Sequence, residues 1–129
     1  VQSHLSENLG EIALVKQQYP DASCYAQVYE RFGLLDTGCI LAHCVHSGPE
    51  ELSILKQRGV YIAYSPESNM NLASGAAPVS RYLKQGLRVG LASDLAGGSS
   101  LNLFQAMAHA VQASKLRWRL LGQQTPPHL

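Results

Sequence analysis

The sequence predicts an α/β fold built on a mostly parallel sheet, on the strength of three observations. Short apolar runs rich in β-branched residues stand at 39–45, 60–64 and 87–92, each set off by glycine or proline and too short for a helix. Stretches with helical spacing separate them, and that alternation implies parallel strands joined by helical crossovers. The titratable residues gather just after the strands, where ligand sites form in folds of this class.

Taken in order, Val1-Gln2-Ser3-His4 reads as a strand already under way. Ile12, Val15 and Tyr19 fall at i, i+3 and i+7 on a helix stopped by Pro20, and Tyr25, Val28, Tyr29 and Phe32 form a second stripe stopped by Gly33. Ser47-Gly48-Pro49-Glu50 reads as a capping box opening a helix that ends at Gly59. Pro78 opens another helix, closed by Gly86, and a long final helix is expected from about Leu101 to about Leu121. Ser65-Pro66-Glu67-Ser68-Asn69 and Ala73-Ser74-Gly75 read as an ordered loop, with Asn69 a candidate to orient its neighbours through side-chain to backbone hydrogen bonds.

At 129 residues the chain is one domain, 1–129, by length. Hydrophobic residues make up 46% and charged residues 15%, which excludes disorder and a highly charged tail. A net charge of +1, a pI near 7.9 and no basic run give no electrostatic reason to expect nucleic acid or a membrane as partner. Cys24, Cys39 and Cys44 cannot all pair and none lies in a C-x-x-C, so reduced thiols and a cytoplasmic setting are expected. No apolar run approaches the roughly 18 to 20 residues of a membrane span, and no charged-then-apolar leader is expected. The start at Val1 and the trailing Thr125-Pro126-Pro127-His128-Leu129 suggest a processed chain or a piece of a longer one.

His4 and Glu7, three apart at a strand end, can converge on one site: imidazole suits a borderline metal and a carboxylate beside it can move protons. Equally, Glu7 can support the N-terminus of the next helix. His43 lies inside the apolar run 40–45; a neutral buried histidine with a backbone partner is the usual explanation, while its place near a strand end keeps a functional role open. Cys44 reads as a small core residue, and His46, His109 and His128 carry no comparable context. Asp94 is the sharpest residue, because a carboxylate ending a nearly continuous apolar strand is costly unless paired, hydrogen-bonded or metal-bound. Gly97-Gly98 after it permits close approach of a ligand, but neither G-x-G-x-x-G nor a Gly-Lys phosphate loop is present. The H-x-E with P-C-x-x-C pattern of cytidine-deaminase-type zinc sites is also missing. A histidine, a second histidine and an aspartate delivered in order by separate strands suit zinc or iron.

The segments Ser3-His4-Leu5-Ser6-Glu7-Asn8, Ala42-His43-Cys44, Ser65-Pro66-Glu67-Ser68-Asn69 with Ala73-Ser74-Gly75, and Ser93-Asp94-Leu95-Ala96-Gly97-Gly98 resemble the second half of the amidohydrolase superfamily, and within it the guanine deaminase family. Leu72 to Val79 is similar also to adenosine-type and triazine-type aminohydrolases. The resemblance implies a (β/α)8 barrel of TIM type, of which this chain supplies strands five to eight. It implies metal ligation by His4 and Asp94, with zinc the expected ion and iron an alternative. It makes Glu7, His43 and Asp94 catalytic: Asp94 takes a proton from water, His43 hydrogen-bonds that water or the developing oxyanion, and Glu7 shuttles a proton. His4, Glu7 and Asp94 would face the substrate, a small purine, and the parent enzyme would be a homodimer as is common in the family. The family's H-x-H ligand pair occurs nowhere in this chain, so the 129 residues alone are expected to be inactive. A non-catalytic half-barrel that serves in binding or assembly is the reading from a different class.

Overall fold

The computed structural model describes residues 1–121 and confirms the α/β class with a parallel sheet; the trailing segment 125–129 and His128 lie outside the described residues. The elements run β1 (Gln2–Leu5), α1 (Leu9–Gln18), α2 (Tyr25–Arg31), β2 (Ile40–His43), α3 (Pro49–Arg58), β3 (Tyr61–Tyr64), α4 (Pro66–Asn71), α5 (Val79–Lys84), β4 (Arg88–Leu91) and α6 (Leu103–Leu120). The sheet order is β1-β2-β3-β4, all parallel, so every strand pairs with the next in sequence. Among the described residues no helix is long and apolar enough to cross a membrane.

The register sorts the strand residues into two faces. Ser3, Leu41, Ile62 and Val89 align across the sheet and point toward the helices, where Leu41, Ile62, Leu52, Leu55, Val60 and Tyr82 are buried together. On the opposite face Gln2, Ile40, Tyr61 and Arg88 form one row, and His4, Ala42, Ala63 and Gly90 the next. That second face is open: Ile40 and Tyr61 are 40% and 45% exposed, with the Arg88 guanidinium over the Tyr61 ring. Apolar side chains on the bare face of a parallel sheet are unusual, because such sheets are ordinarily covered on both sides. Phe104, 81% exposed near the start of α6, extends the uncovered apolar surface.

Helix boundaries follow local chemistry. Asn8 caps α1 by accepting from the Glu11 N–H, while the Glu11 carboxylate accepts from the Glu7 N–H. Pro49 occupies the first turn of α3, and Gly59 closes it at φ 67°, a left-handed conformation that glycine adopts freely. The capping box expected at Ser47 does not form. The N-cap is Gly48, so Ser47 lies one residue too early to reach the first turn, and its buried hydroxyl has no hydrogen-bond partner among the described residues. The Tyr25 stripe also ends sooner than its spacing suggests. Phe32 is the C-cap of α2 and 63% exposed, its ring edge-on to Tyr19.

The largest correction is α4. Residues 66–69, read as part of an ordered loop, lie in a short helix, Pro66–Asn71, begun by Pro66, and the segment has too few apolar residues to show a helical period. α4 packs against α6, and with the turn that follows it reaches the carboxyl ends of the strands through Asn69 to His43 and Ser74 to Glu7.

Candidate functional site

β1, β2 and β4 each end in strained backbone. Ser6 after β1, His43 and Cys44 at the end of β2, and Asp94 and Ala96 after β4 all have positive φ, between 46° and 93°. For residues with a side chain such conformations each cost on the order of 1–3 kcal/mol and collect at functional sites. Here they re-aim the side chains. The turn at His43 stops β2 earlier than its apolar run suggests and carries the imidazole off the strand alternation toward the loops.

His43 is the centre of the arrangement. Its side chain is 2% exposed, and its Nε2 lies 3.8 Å from Glu7 Oε2 and 3.9 Å from Asp94 Oδ2. The His4 ring stands edge-on to it with centroids 5.0 Å apart. All four residues singled out in the sequence therefore meet, although they lie up to ninety positions apart in the chain. The partner expected for His43 was a backbone group; it is instead the side chain of Asn69, 2.8 Å from Nδ1. An amide oxygen only accepts, so Nδ1 carries the proton and Nε2 is the nitrogen left to the site.

His4 and Asp94 line one cavity of about 620 Å³ over the open face of the sheet. Ala42, Ala63 and Gly90, the small residues in register beside His4, leave room for it. Glu7 and His43 are not among its lining residues but adjoin it, His43 lying against the His4 ring and Asp94, and Glu7 beside His43. Among the described residues neither the His4 ring nor the Asp94 carboxylate accepts or donates a hydrogen bond. A nitrogen donor and a carboxylate on one cavity, both uncommitted, fit a borderline divalent metal. They make two donors, however, and among the described residues no group of three or more His, Cys, Asp or Glu gathers to hold an ion. A catalytic zinc ordinarily takes three protein ligands, so this set is partial.

The supports of these residues were less visible in the sequence. Tyr29 donates its hydroxyl to the His4 carbonyl at 2.9 Å and lies 3.0 Å from the Ser3 hydroxyl and 3.2 Å from that of Tyr25, fixing the end of β1. Burial first, then the Tyr29 hydroxyl, pushes the Tyr25 phenol far above its ordinary range. Ser74 donates to Glu7 Oε1 at 2.8 Å, and His46, given no role above, donates from Nε2 to the Ser74 carbonyl at 2.8 Å. Glu67 accepts from the Ser99 hydroxyl, which holds its carboxyl below the usual range, and Asn71 donates to the Gly97 carbonyl at 2.8 Å. These contacts moor the loop that carries Asp94. Only a His, Glu or Asp advertises chemistry in a sequence; Ser74, Tyr29 and Asn71 act through partners 25 to 67 residues away. Cys44 is a core thiol, as expected, pushed well up by burial.

Comparison with known proteins bears on this geometry. The chain matches the profile of the Amidohydrolase family over residues 1–125. It is 41% identical over 122 residues to a probable guanine deaminase of Schizosaccharomyces pombe, covering 95% of this chain and 23% of that protein. The crystal structure of a guanine deaminase from C. acetobutylicum with guanine bound in its active site superposes with a TM-score of 0.92 at 43% identity, over 99% of this chain and 31% of that one. An adenosine deaminase from Xanthomonas campestris with bound zinc superposes at 0.83 with 25% identity, over 92% and 27%. The chain thus spans about a quarter to a third of the length of the relatives it matches.

Proposed function

The chain belongs to the amidohydrolase family, and from that premise we propose that it forms strands five to eight of a (β/α)8 barrel in a guanine deaminase, which converts guanine and water to xanthine and ammonia. The observation that carries this reading is the meeting of His4, Glu7 and Asp94 around the His43 imidazole, beside a cavity that a purine can enter. The similarity to a structure that holds guanine supports the substrate class. Domain 1–129 is then half of a barrel, and its bare sheet face and apolar α6 surface are covered by strands and helices from elsewhere in the polypeptide. Three reduced cysteines are consistent with work in the cytoplasm.

His4 and Asp94 would hold a metal ion, zinc by analogy with the zinc-bound neighbour, together with ligands from outside these residues. When bound, such an ion supplies Lewis acidity and lowers the pKa of water at the site to about 7. The chain's own residues then do the following. His43, with Nδ1 committed to Asn69, turns Nε2 to the attacking water and orients it. The second oxygen of Asp94 takes a proton as the water adds to the amino-bearing carbon. Glu7 carries the other proton of the water to the adjacent ring nitrogen and then passes the proton held by Asp94 to the departing amine, so that both water protons end on the products and the amino group leaves as ammonia.

The test is ammonia release from guanine by the complete polypeptide carrying these residues, beside an Asp94→Ala variant and with adenosine as competing substrate. Activity on guanine that disappears in Asp94→Ala is expected. Full activity in the variant would overturn the assignment of Asp94, and turnover of adenosine alone would move the protein to the adenosine-type aminohydrolases.

A further inference from the structure

We propose that Ser74 is a positioning residue for the Glu7 carboxylate, a reading that rests on the proton-carrying role given to Glu7 above. A carboxylate that must collect a proton at one point and release it at another needs a fixed lone pair, and the terminal torsion of a glutamate is broad. Here the two oxygens are assigned separate duties. Oε1 accepts the Ser74 hydroxyl at 2.8 Å, while Oε2 faces His43 Nε2. Ser74 is 6% exposed, so no bulk water competes for the bond.

The serine is itself held on several sides. Its N–H donates to the Asn69 carbonyl at 2.8 Å, and its own carbonyl accepts from His46 Nε2. Ala73 and Gly75 on either side have φ of 55° and 118°. A side chain on Gly75 would press against Val45, so the turn has little freedom to relax. The same segment therefore secures both members of the Glu7–His43 pair: Asn69 holds the imidazole and Ser74, five residues on, holds the carboxylate. A serine placed only to satisfy a turn would need neither burial nor a partner 67 residues away.

Steady-state guanine deamination by the complete polypeptide, with zinc bound, tests this. Ser74→Ala is expected to lower kcat about 10- to 100-fold, the usual cost of losing a supporting hydrogen bond, with KM within about twofold. Ser74→Thr, which keeps the hydroxyl, is expected to recover most of kcat. In a Glu7→Asp background, where the shortened carboxylate no longer reaches Oγ, Ser74→Ala is expected to add less than about twofold. Wild-type kcat in Ser74→Ala, or an equal loss in all backgrounds, overturns the positioning role and leaves the guanine deaminase reading intact. An unaltered protein that releases no ammonia from guanine overturns both. Should Ser74→Ala fail to fold, Ser74→Cys keeps a weaker donor at similar volume: an intermediate kcat supports the proposal, and a wild-type value overturns it.

Discussion

The Nδ1 of His43 and the Oδ1 of Asn69 lie 2.8 Å apart with both side chains buried, so one amide fixes the tautomer and the orientation of the imidazole at the centre of the site. Asn69→Leu keeps the volume and removes the acceptor, leaving an imidazole N–H buried without a partner. A loss of about 1–3 kcal/mol in stability is expected, with a drop in kcat beyond what the stability change explains. Urea denaturation and steady-state kinetics on the same preparation check it; a variant as stable as wild type would mean that His43 finds another partner.

The end of β4 depends on two glycines. A side chain on Gly98 would run into the Ser93 carbonyl oxygen, and one on Gly97 into the Ser68 hydroxyl. Ser68 can turn aside, but a backbone oxygen cannot. Gly98 also donates its N–H to the Asp94 carbonyl at 2.6 Å. Gly98→Ala must therefore rebuild the loop that aims Asp94, at about 1–3 kcal/mol in stability. If Asp94 takes the proton as proposed, a misplacement of about 1 Å costs on the order of a hundredfold, so kcat/KM on guanine is expected to fall by about that factor. Thermal denaturation beside the guanine assay separates the two effects.

Glu51 is 2% exposed on α3, and its Oε1 accepts from the Ala26 N–H at 2.9 Å, in the first turn of α2 where the helix has no acceptor of its own. Glu51→Gln keeps an oxygen at that point and is expected to cost less than about 1 kcal/mol; Glu51→Leu strands the N–H and is expected to cost about 1–3 kcal/mol. Equal destabilisation of the two would show that the carboxylate's charge, not its hydrogen bond, holds α2.

How much of this was legible in the sequence depended on distance along the chain. The strands could be read because β-branched runs flanked by glycine are a local signal, and four polar strand ends pointed to one rim. His4, Glu7, His43 and Asp94 were visible because their chemistry is unusual beside apolar strands. Ser74 and Asn69 could be seen only as loop residues, since a serine in a turn satisfies local backbone as readily as a remote glutamate. α4 was missed for a related reason. Pro66-Glu67-Ser68-Asn69-Met70-Asn71 has serine and asparagine where helix formers are expected, and the segment is held helical by what it touches: Glu67 to Ser99, Asn71 to Gly97 and Asn69 to His43. Ser47 erred in the other direction, a correct motif offset by one residue from the helix it was meant to cap.

Buried phenols give the fold an alkaline limit. Tyr64 is 1% exposed at the end of β3, and burial pushes its hydroxyl from 10 up to about 12, against a smaller opposing pull from Arg117. Tyr82, which donates to the Cys44 carbonyl at 2.6 Å, is pushed up further, again mainly by burial. A phenol with a raised folded pKa stays neutral in the native state while the unfolded chain ionises. Its contribution is whole below pH 10 and is lost as the pH climbs to about 12, because the unfolded state then holds fewer protons than the folded one. For Tyr64 the loss amounts to about 2–3 kcal/mol. Tyr64→Phe keeps the ring without the titrating group, so its stability should fall less steeply between pH 10 and 12. Guanidinium denaturation at several pH values across that window measures the difference, with the 295 nm absorbance of phenolate reporting when each tyrosine ionises. Parallel curves for the two proteins would show that Tyr64 titrates in the folded state as it does in the unfolded one, and the alkaline limit would then rest on Tyr82 and Tyr25.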